Sequence, residues 1–161
     1  MTGALVFRTA MISHMGLVRR LNEDSVLAKP EIGLWAVADG MGGHGGGDIA
    51  SHAVVEALEL LAPQASASNL LGEFERCIVR VNGQLRDLSR ARGRLVMGTT
   101  LVALMIHGGQ FACVWCGTAG SIFAETASFG RSHGIIPKCR SSSIWACSTK
   151  SKRGAGRGAM W

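Results

Sequence analysis

The apolar pattern needed to build a protein core stops at Gly117, so residues 1–117 must form the fold. Those residues carry ten Lys or Arg and ten Asp or Glu, whereas residues 118–161 carry seven basic residues and a single acid. The formal net charge of +6 therefore belongs to the second segment. That segment is rich in Ser, Gly, Lys and Arg and has no sustained apolar period, which predicts a basic tail of low order.

Several stretches within the first segment have the composition of β-strands, because they combine apolar residues with β-branched or aromatic ones. Strands are predicted for residues 4–13, 33–38, 97–106 and 111–116. The residues between the last two, 107–110, include two glycines and predict a tight hairpin turn.

Two further stretches, residues 49–61 and 70–88, have apolar residues at helical spacing and predict amphipathic helices. Asp48 is predicted to be the N-cap of the first helix. The glycine-rich run 40–47 is predicted to lack regular structure unless a ligand orders it. Strands, then two helices, then a hairpin predict an α+β fold.

Composition argues against several classes of protein. Hydrophobic residues make up 47% of the chain and charged residues 17%, which is typical of a globular protein. No apolar run approaches the roughly 20 residues of a membrane helix. Five cysteines, an odd number, favour a reducing compartment, and we interpret Cys113 and Cys116 as structural because no second pair accompanies them. We therefore expect a cytoplasmic protein whose partners are neither membranes nor nucleic acids.

Three acidic residues lie beside predicted strands. Glu23 and Asp24 precede an apolar stretch, and Asp39 ends a predicted strand next to the glycine-rich run. Carboxylates and backbone carbonyls are the ligands that Mn²⁺ and Mg²⁺ prefer, and two such ions can activate water for attack on phosphorus. Arg19 or Arg20 could hold phosphate oxygens in a bidentate manner. Taken alone, each feature is more typical of an ordinary turn or a solvated loop than of a metal site.

Four motifs follow one another along the first segment. Two contain the acidic residues, GLVRRLNEDS at 16–25 and VADGMGGH at 37–44. Two lie in predicted strands, GTTL at 98–101 and FACVWCG at 111–117. In order and spacing they resemble the motifs of the metal-dependent protein phosphatase 2C (PPM) family, in its bacterial form. The resemblance covers residues 1–117.

This resemblance implies a 2C-type αββα sandwich, in which two antiparallel sheets are flanked by helices, and which this chain leaves incomplete. It also implies a binuclear Mn²⁺ or Mg²⁺ centre that hydrolyses phosphoserine and phosphothreonine in proteins. Asp39 would bridge the two metals, and Glu23 and the carbonyl of Gly40 would bind one of them. Asp24 would hydrogen-bond a water held by the metals, and Arg19 would bind the substrate phosphate. His44 would lie near the site without being a ligand.

The implied partners are phosphoproteins, with a cognate Ser/Thr kinase or a type VI secretion component as further candidates, and the expected state is a monomer. Two alternatives stay open from the sequence. The chain could be a non-catalytic pseudophosphatase that binds phosphoproteins. The basic residues of 118–161 could instead bind nucleic acid or a membrane surface.

The sequence departs from the family directly after Gly117. Family members continue with Asp-Ser-Arg, whereas this chain continues with Thr118, Ala119 and Gly120. Ordinary codons for residues 117–130 can be chosen so that one G added after the first codon yields Gly-Asp-Ser-Arg-Leu-Tyr-Leu-Arg-Arg-Asp-Gly-Lys-Leu-Arg, which resembles the family's continuation. We therefore predict that residues 118–161 are a frameshifted reading and that this chain is truncated and inactive. The missing half would supply further metal-binding carboxylates, whereas Glu125 is the only acid after Asp87.

Resequencing the gene tests this prediction. We expect one base to be missing near the codon of Gly117, and restoring it should extend the four-motif pattern in frame. An intact sequence with no restorable frame would contradict the frameshift hypothesis.

Overall fold

The computed structural model of the chain describes residues 6–117, 122–128 and 138–142, with side chains described for 6–117. Two helices pack on one face of an antiparallel sheet. The strands are β1 (Asp24–Lys29), β2 (Leu34–Gly42), β3 (Met97–Thr99), β4 (Leu101–His107), β5 (Gln110–Cys116), β6 (Ile122–Ser128) and β7 (Lys138–Ser142). The helices are α1 (Gly46–Glu59) and α2 (Ala67–Ala91), and a short 3-10 turn, Pro30–Ile32, connects β1 to β2.

The sheet order is β1-β2-β4-β5-β6-β7, and every pairing is antiparallel. The predicted hairpin is confirmed, since β4 and β5 are joined by a two-residue turn at Gly108 and Gly109, with Gly108 in the left-handed region (φ 61°). The predicted helix over 70–88 is also confirmed, because it lies within α2.

The single strand predicted for residues 97–106 is wrong in one respect, because the structure divides it into β3 and β4. β4 pairs with the first half of β2, and β3 pairs with its last three residues, Gly40–Gly42. At the break, the Thr100 N–H donates to the carbonyl of Asp39 (2.8 Å). Residues 97–107 therefore follow both halves of β2 and hold its far end in place.

The core lies between the sheet and the helices. Alternate residues of β2, namely Leu34, Ala36 and Ala38, are buried toward the helices, where α2 contributes Phe74. The ammonium group of Lys29 donates to the carbonyl of Glu59, the last residue of α1 (2.6 Å), and to that of Leu61, just beyond the helix (2.9 Å). These bonds tie β1 to the end of α1, and the first satisfies a carbonyl that the helix leaves without a partner.

The glycine-rich run has regular structure at both ends, which corrects the prediction for residues 40–42 and 46–47, whereas residues 43–45 form a turn as their composition predicts. Its first three residues end β2, and its last two begin α1. The N-cap is Gly45, in the left-handed region (φ 77°), with no side-chain cap, so the prediction of Asp48 as N-cap is wrong. Asp48 lies in the first turn of α1, where a carboxylate is favoured by the helix dipole, and pairs with His52 (2.9 Å).

The other face of the sheet, called here the open face, carries exposed apolar side chains. Val37 is 53% exposed and Val102 is 58% exposed, although they are cross-strand partners near the middle of the sheet. Patches of this kind mark surfaces that another layer or partner covers.

The N-terminal residues partly cover Trp35 on this face. The ring of Phe7 meets the Trp35 ring edge-on (centroids 4.9 Å apart), and the Trp35 Nε1–H donates to Thr9 Oγ1 (3.0 Å). The strand predicted over residues 4–13 is wrong for its described part, 6–13, which lies outside the paired strands. β-propensity alone does not form a strand when no neighbouring backbone supplies the hydrogen bonds.

Two strands also lie beyond Gly117. β6 pairs with β5 from Cys116↔Ile122 to Gln110↔Ser128, and β7 pairs with β6. The prediction of low order is therefore wrong for residues 122–128 and 138–142, which form one strand along β5 and a further strand along that one. The frameshift hypothesis concerns the gene and stays a prediction.

The predicted α+β class is confirmed, and the described residues form one helical layer on one sheet of the implied sandwich. Neither described helix combines the length and the apolar character that crossing a bilayer requires.

The buried ring of Phe74 provides a test of this core. Phe74 is fully buried on α2, whereas Val79 on the same helix is 43% exposed. We expect Phe74→Ala to lower the free energy of unfolding by about 3–5 kcal/mol, because it removes apolar contacts and leaves a cavity. Val79→Ala, the control, should change it by no more than about 0.5 kcal/mol. Urea unfolding followed by circular dichroism measures both, and equal effects would contradict the packing described.

Candidate metal centre

The pairing of β1 with β2 brings the two acidic motifs together. Asp24 and Asp39 are direct cross-strand partners. One residue further along, the Gly40 N–H donates to the carbonyl of Glu23 (2.9 Å). Residues separated by about 15 positions in the sequence are therefore neighbours at one end of the sheet, as the register requires.

The position of this hydrogen bond fixes the geometry of the aspartate pair. Because Gly40 and Glu23 form a hydrogen-bonded pair, the adjacent pair, Asp24 and Asp39, is a non-hydrogen-bonded one. In such pairs the Cα atoms lie about 4.5 Å apart and the side chains approach most closely. Both aspartates are exposed on the open face.

Two carboxylates in this position repel each other. Like charges directly opposite on adjacent strands are destabilising, so the pair opposes local folding unless a cation lies nearby. In proteins, residues whose local arrangement is unfavourable for stability are commonly found at functional sites. The pair therefore suits a divalent cation better than it suits the stability of the sheet.

Glu23 faces the start of α1, and its side chain is 22% exposed. Arg19 lies 3.9 Å from it (Nη1 to Oε2), but the Arg19 side chain is 78% exposed. An ion pair this open is weak. The guanidinium is therefore available to an anionic ligand that approaches this end of the sheet.

Two polar residues that sequence reasoning missed hold the loop before β1. The Asn22 Oδ1 accepts from the Asp24 N–H (3.2 Å), and its Nδ2 donates to Ser13 Oγ (2.7 Å). Ser13 Oγ in turn lies 3.4 Å from the carbonyl of Asp24. The Asn22 bond could have been anticipated, since asparagine often bonds its own backbone two residues on. The Ser13 contact joins residues 11 positions apart, and no local pattern indicates it.

The donor atoms at this end of the sheet are of the type that Mn²⁺ and Mg²⁺ bind. The carboxylates of Glu23, Asp24 and Asp39 and the carbonyl of Gly40 are hard oxygen donors, which such ions prefer. Within the part of the chain that the structure describes, no three His, Cys, Asp or Glu side chains are gathered closely enough to hold a metal ion by themselves. The residues thus offer the donor types that Mn²⁺ or Mg²⁺ prefers, in a smaller set than a closed metal site would need.

The sequence also singled out His44, Cys113 and Cys116. His44 is exposed in the turn before α1, with a left-handed backbone (φ 56°). Cys113 and Cys116 are three residues apart in β5 and so point to opposite faces. Burial raises the pKa of the Cys116 thiol, which favours the unreactive protonated form. This arrangement supports the structural interpretation of the two cysteines.

The chain is similar to known phosphatases in sequence and in structure. No protein-family model matches the chain. The chain is 39% identical over 114 residues to the serine/threonine protein phosphatase PstP of Mycobacterium tuberculosis, an alignment that covers 70% of this chain and 22% of PstP. The structure of PppA, described as a key regulatory component of the type VI secretion system in Pseudomonas aeruginosa, matches with a TM-score of 0.63 at 39% identity. That match covers 73% of this chain and 53% of PppA.

A third match is informative about metals. The catalytic domain of PstP, solved in complex with two manganese ions, matches with a TM-score of 0.58 at 26% identity, over 80% of this chain and 70% of that one. The chain spans about half of PppA and 22% of the curated PstP sequence. These similarities confirm the α+β layout as part of a larger domain.

The repulsion between Asp24 and Asp39 leads to a test on the metal-free protein. With EDTA present, we expect Asp39→Asn to raise the free energy of unfolding by about 0.2–1 kcal/mol, because it removes one of two opposed charges. Glu56→Gln, at an exposed acid on α1, is the control and should have little effect. Destabilisation by Asp39→Asn under these conditions, measured by urea unfolding, would show that the carboxylates do not oppose each other.

Proposed function

The chain belongs to the 2C-type (PPM) family of metal-dependent serine/threonine phosphatases as an N-terminal portion, and on that premise we propose that residues 6–117 supply half of a phosphatase centre. The reaction is the hydrolysis of phosphoserine and phosphothreonine in proteins. The observation that carries the proposal is the Asp24–Asp39 pair, set beside the Glu23–Gly40 hydrogen bond. It brings the carboxylates of two separate motifs to one end of the sheet.

The proposed roles follow from these positions. Mn²⁺ or Mg²⁺, when bound, supplies Lewis acidity and neutralises charge on the phosphate. Asp39, Glu23 and the carbonyl of Gly40 would hold the ions. Asp24, on the same face as Asp39, accepts a hydrogen bond from the attacking water and orients it. Arg19 binds the phosphate oxygens, which its exposed guanidinium can reach.

The cofactor assignment is supported by the donor types and by the manganese ions of the PstP catalytic domain. That protein shares the fold and 26% of its matched sequence with this chain. Oxygen donors dominate here, and Cys116 of β5 is buried on the helix-covered face of the sheet, whereas Asp39 is exposed on the open face. A hard divalent cation therefore suits the site better than zinc held by thiolates.

We further propose that this chain alone is inactive, because residues 118–161 do not complete the site. Their single acid is Glu125, which lies opposite Cys113 of β5. Cys113 lies opposite Leu104 of β4, and Leu104 lies opposite Trp35 of β2. Glu125 therefore lies three strand spacings from β2, which is about 14 Å across the sheet. Along the strands it lies level with Trp35, four residues from Asp39, which is about 13 Å. Glu125 is too distant to serve as a ligand beside Asp39.

The partners are also part of the proposal. Phosphoproteins are the expected substrates, acted on by a monomer in the cytoplasm. The similarity to PppA supports a link to type VI secretion, where a Ser/Thr kinase would supply the phosphorylated substrate.

Hydrolysis of p-nitrophenyl phosphate tests the function. We expect Mn²⁺-dependent activity only from a protein whose gene has one G restored after the Gly117 codon, and we expect Asp39→Ala to abolish it. Glu56→Ala in the restored protein is the control and should retain activity, because Glu56 is an exposed residue of α1 away from the paired aspartates.

Two outcomes would contradict the proposal. Equal activity in the unrestored chain would refute the claim that this chain is inactive. An inactive but folded restored protein would refute the assignment of the phosphatase centre.

A further inference from the structure

Gly47, in the first turn of α1, contacts two of the proposed metal ligands. A Cβ atom built on Gly47 would lie 2.6 Å from Glu23 Oε1 and 2.7 Å from the carbonyl carbon of Gly40. Real Cβ atoms do not approach other atoms so closely, so a side chain here would force the Glu23 carboxylate or the β2 backbone to move. The contact is reciprocal, because a Cβ on Gly40 would overlap the carbonyl oxygen of Gly47.

The need for glycine at this position is spatial. Gly47 has no positive φ, unlike the N-cap Gly45 (φ 77°), so its backbone conformation is open to any residue. What excludes other residues is the close approach of α1 to the end of β2. Glu23 lies in the same contact, because its carbonyl accepts from the Gly40 N–H and its carboxylate meets Gly47.

We propose that Gly47 is a positioning residue for the metal centre. Its missing side chain lets α1 start directly against Glu23 and Gly40, and this contact holds the carboxylate and the backbone at the place where they act. The metal-related part of this inference rests on the proposed function, whereas the contact itself does not.

The neighbouring residue provides a matched control. Gly46 is also buried in the first turn of α1, and a Cβ there would overlap the carbonyl oxygen of Val96 and lie 3.2 Å from Met97 Cβ. Gly46 therefore meets the segment leading into β3, whereas Gly47 meets the two proposed ligands. Gly46→Ala reproduces the steric damage to the helix start without touching Glu23.

The first measurement is Mn²⁺ binding, followed by the loss of the free-ion signal in electron paramagnetic resonance. We expect Gly47→Ala to weaken Mn²⁺ binding about 10- to 100-fold, as the loss of residues that orient metal ligands does. Gly46→Ala should bind Mn²⁺ nearly as well as the unchanged chain. Equal weakening in the two variants would reduce Gly47 to a purely structural glycine and overturn the proposal.

The second measurement needs neither metal nor a Gly47 variant, so it applies even if Gly47→Ala does not fold. In nuclear magnetic resonance spectra of the ¹⁵N-labelled, metal-free chain, Glu23→Gln should shift the Gly47 amide signal clearly more than the Gly46 signal. An unmoved Gly47 signal would overturn the positioning contact. Absence of Mn²⁺ binding by the unchanged chain, together with the expected amide shift, would instead refute the metal role and leave the contact in place.

Discussion

The register between β1 and β2 is the constraint on which the rest of the structure depends. A shift of one residue would move every side chain of β1 to the opposite face and separate Asp24 from Asp39. The core fixes this register, because Leu27 and its cross-strand partner Ala36 must both face the helices. A buried hydrogen bond between Ser25 Oγ and Ser51 Oγ (3.1 Å) ties the same strand to α1. The geometry of the site is therefore a consequence of packing on the opposite face of the sheet.

The two faces of the sheet have different tasks. The helix-covered face supplies the burial that stabilises the domain. The open face carries the exposed valines and, at one end of the sheet, the aspartate pair. With this division, a chain that holds only part of the proposed centre can still have a well-packed core. The relatives that it matches extend well beyond the matched part, and in the proposed account their remaining residues cover this face and complete the ligand set.

Much of this arrangement could be predicted from the sequence, for identifiable physical reasons. The long helical period of α2 and the Gly108–Gly109 turn are strong local signals. The acidic motifs indicated Glu23 and Asp39 as candidate metal ligands. β1 itself was not predicted as a strand, since its alternation is short and includes the polar Ser25 and Lys29, whose partners lie on α1 and just beyond its end.

The features that the sequence could not predict depend on contacts between distant segments. The split between β3 and β4 follows from pairing with two halves of β2, and β6 forms along the edge of β5. The role of Gly47 is of the same kind, because a glycine needed for space looks no different in sequence from one needed for a turn. Local patterns therefore indicated the chemistry, and tertiary packing determined its placement.

In the proposed function, two motifs far apart in the sequence form one half of a divalent-metal site. Titration of the ¹⁵N-labelled chain with small amounts of Mn²⁺ tests it most directly, because the unpaired electrons of the ion broaden amide signals close to the site that binds it. The account predicts that the signals of Glu23, Asp24, Asp39 and Gly40 broaden first and together. Broadening of only one motif, or first broadening at acids of α2 such as Glu73 or Asp87, would contradict it.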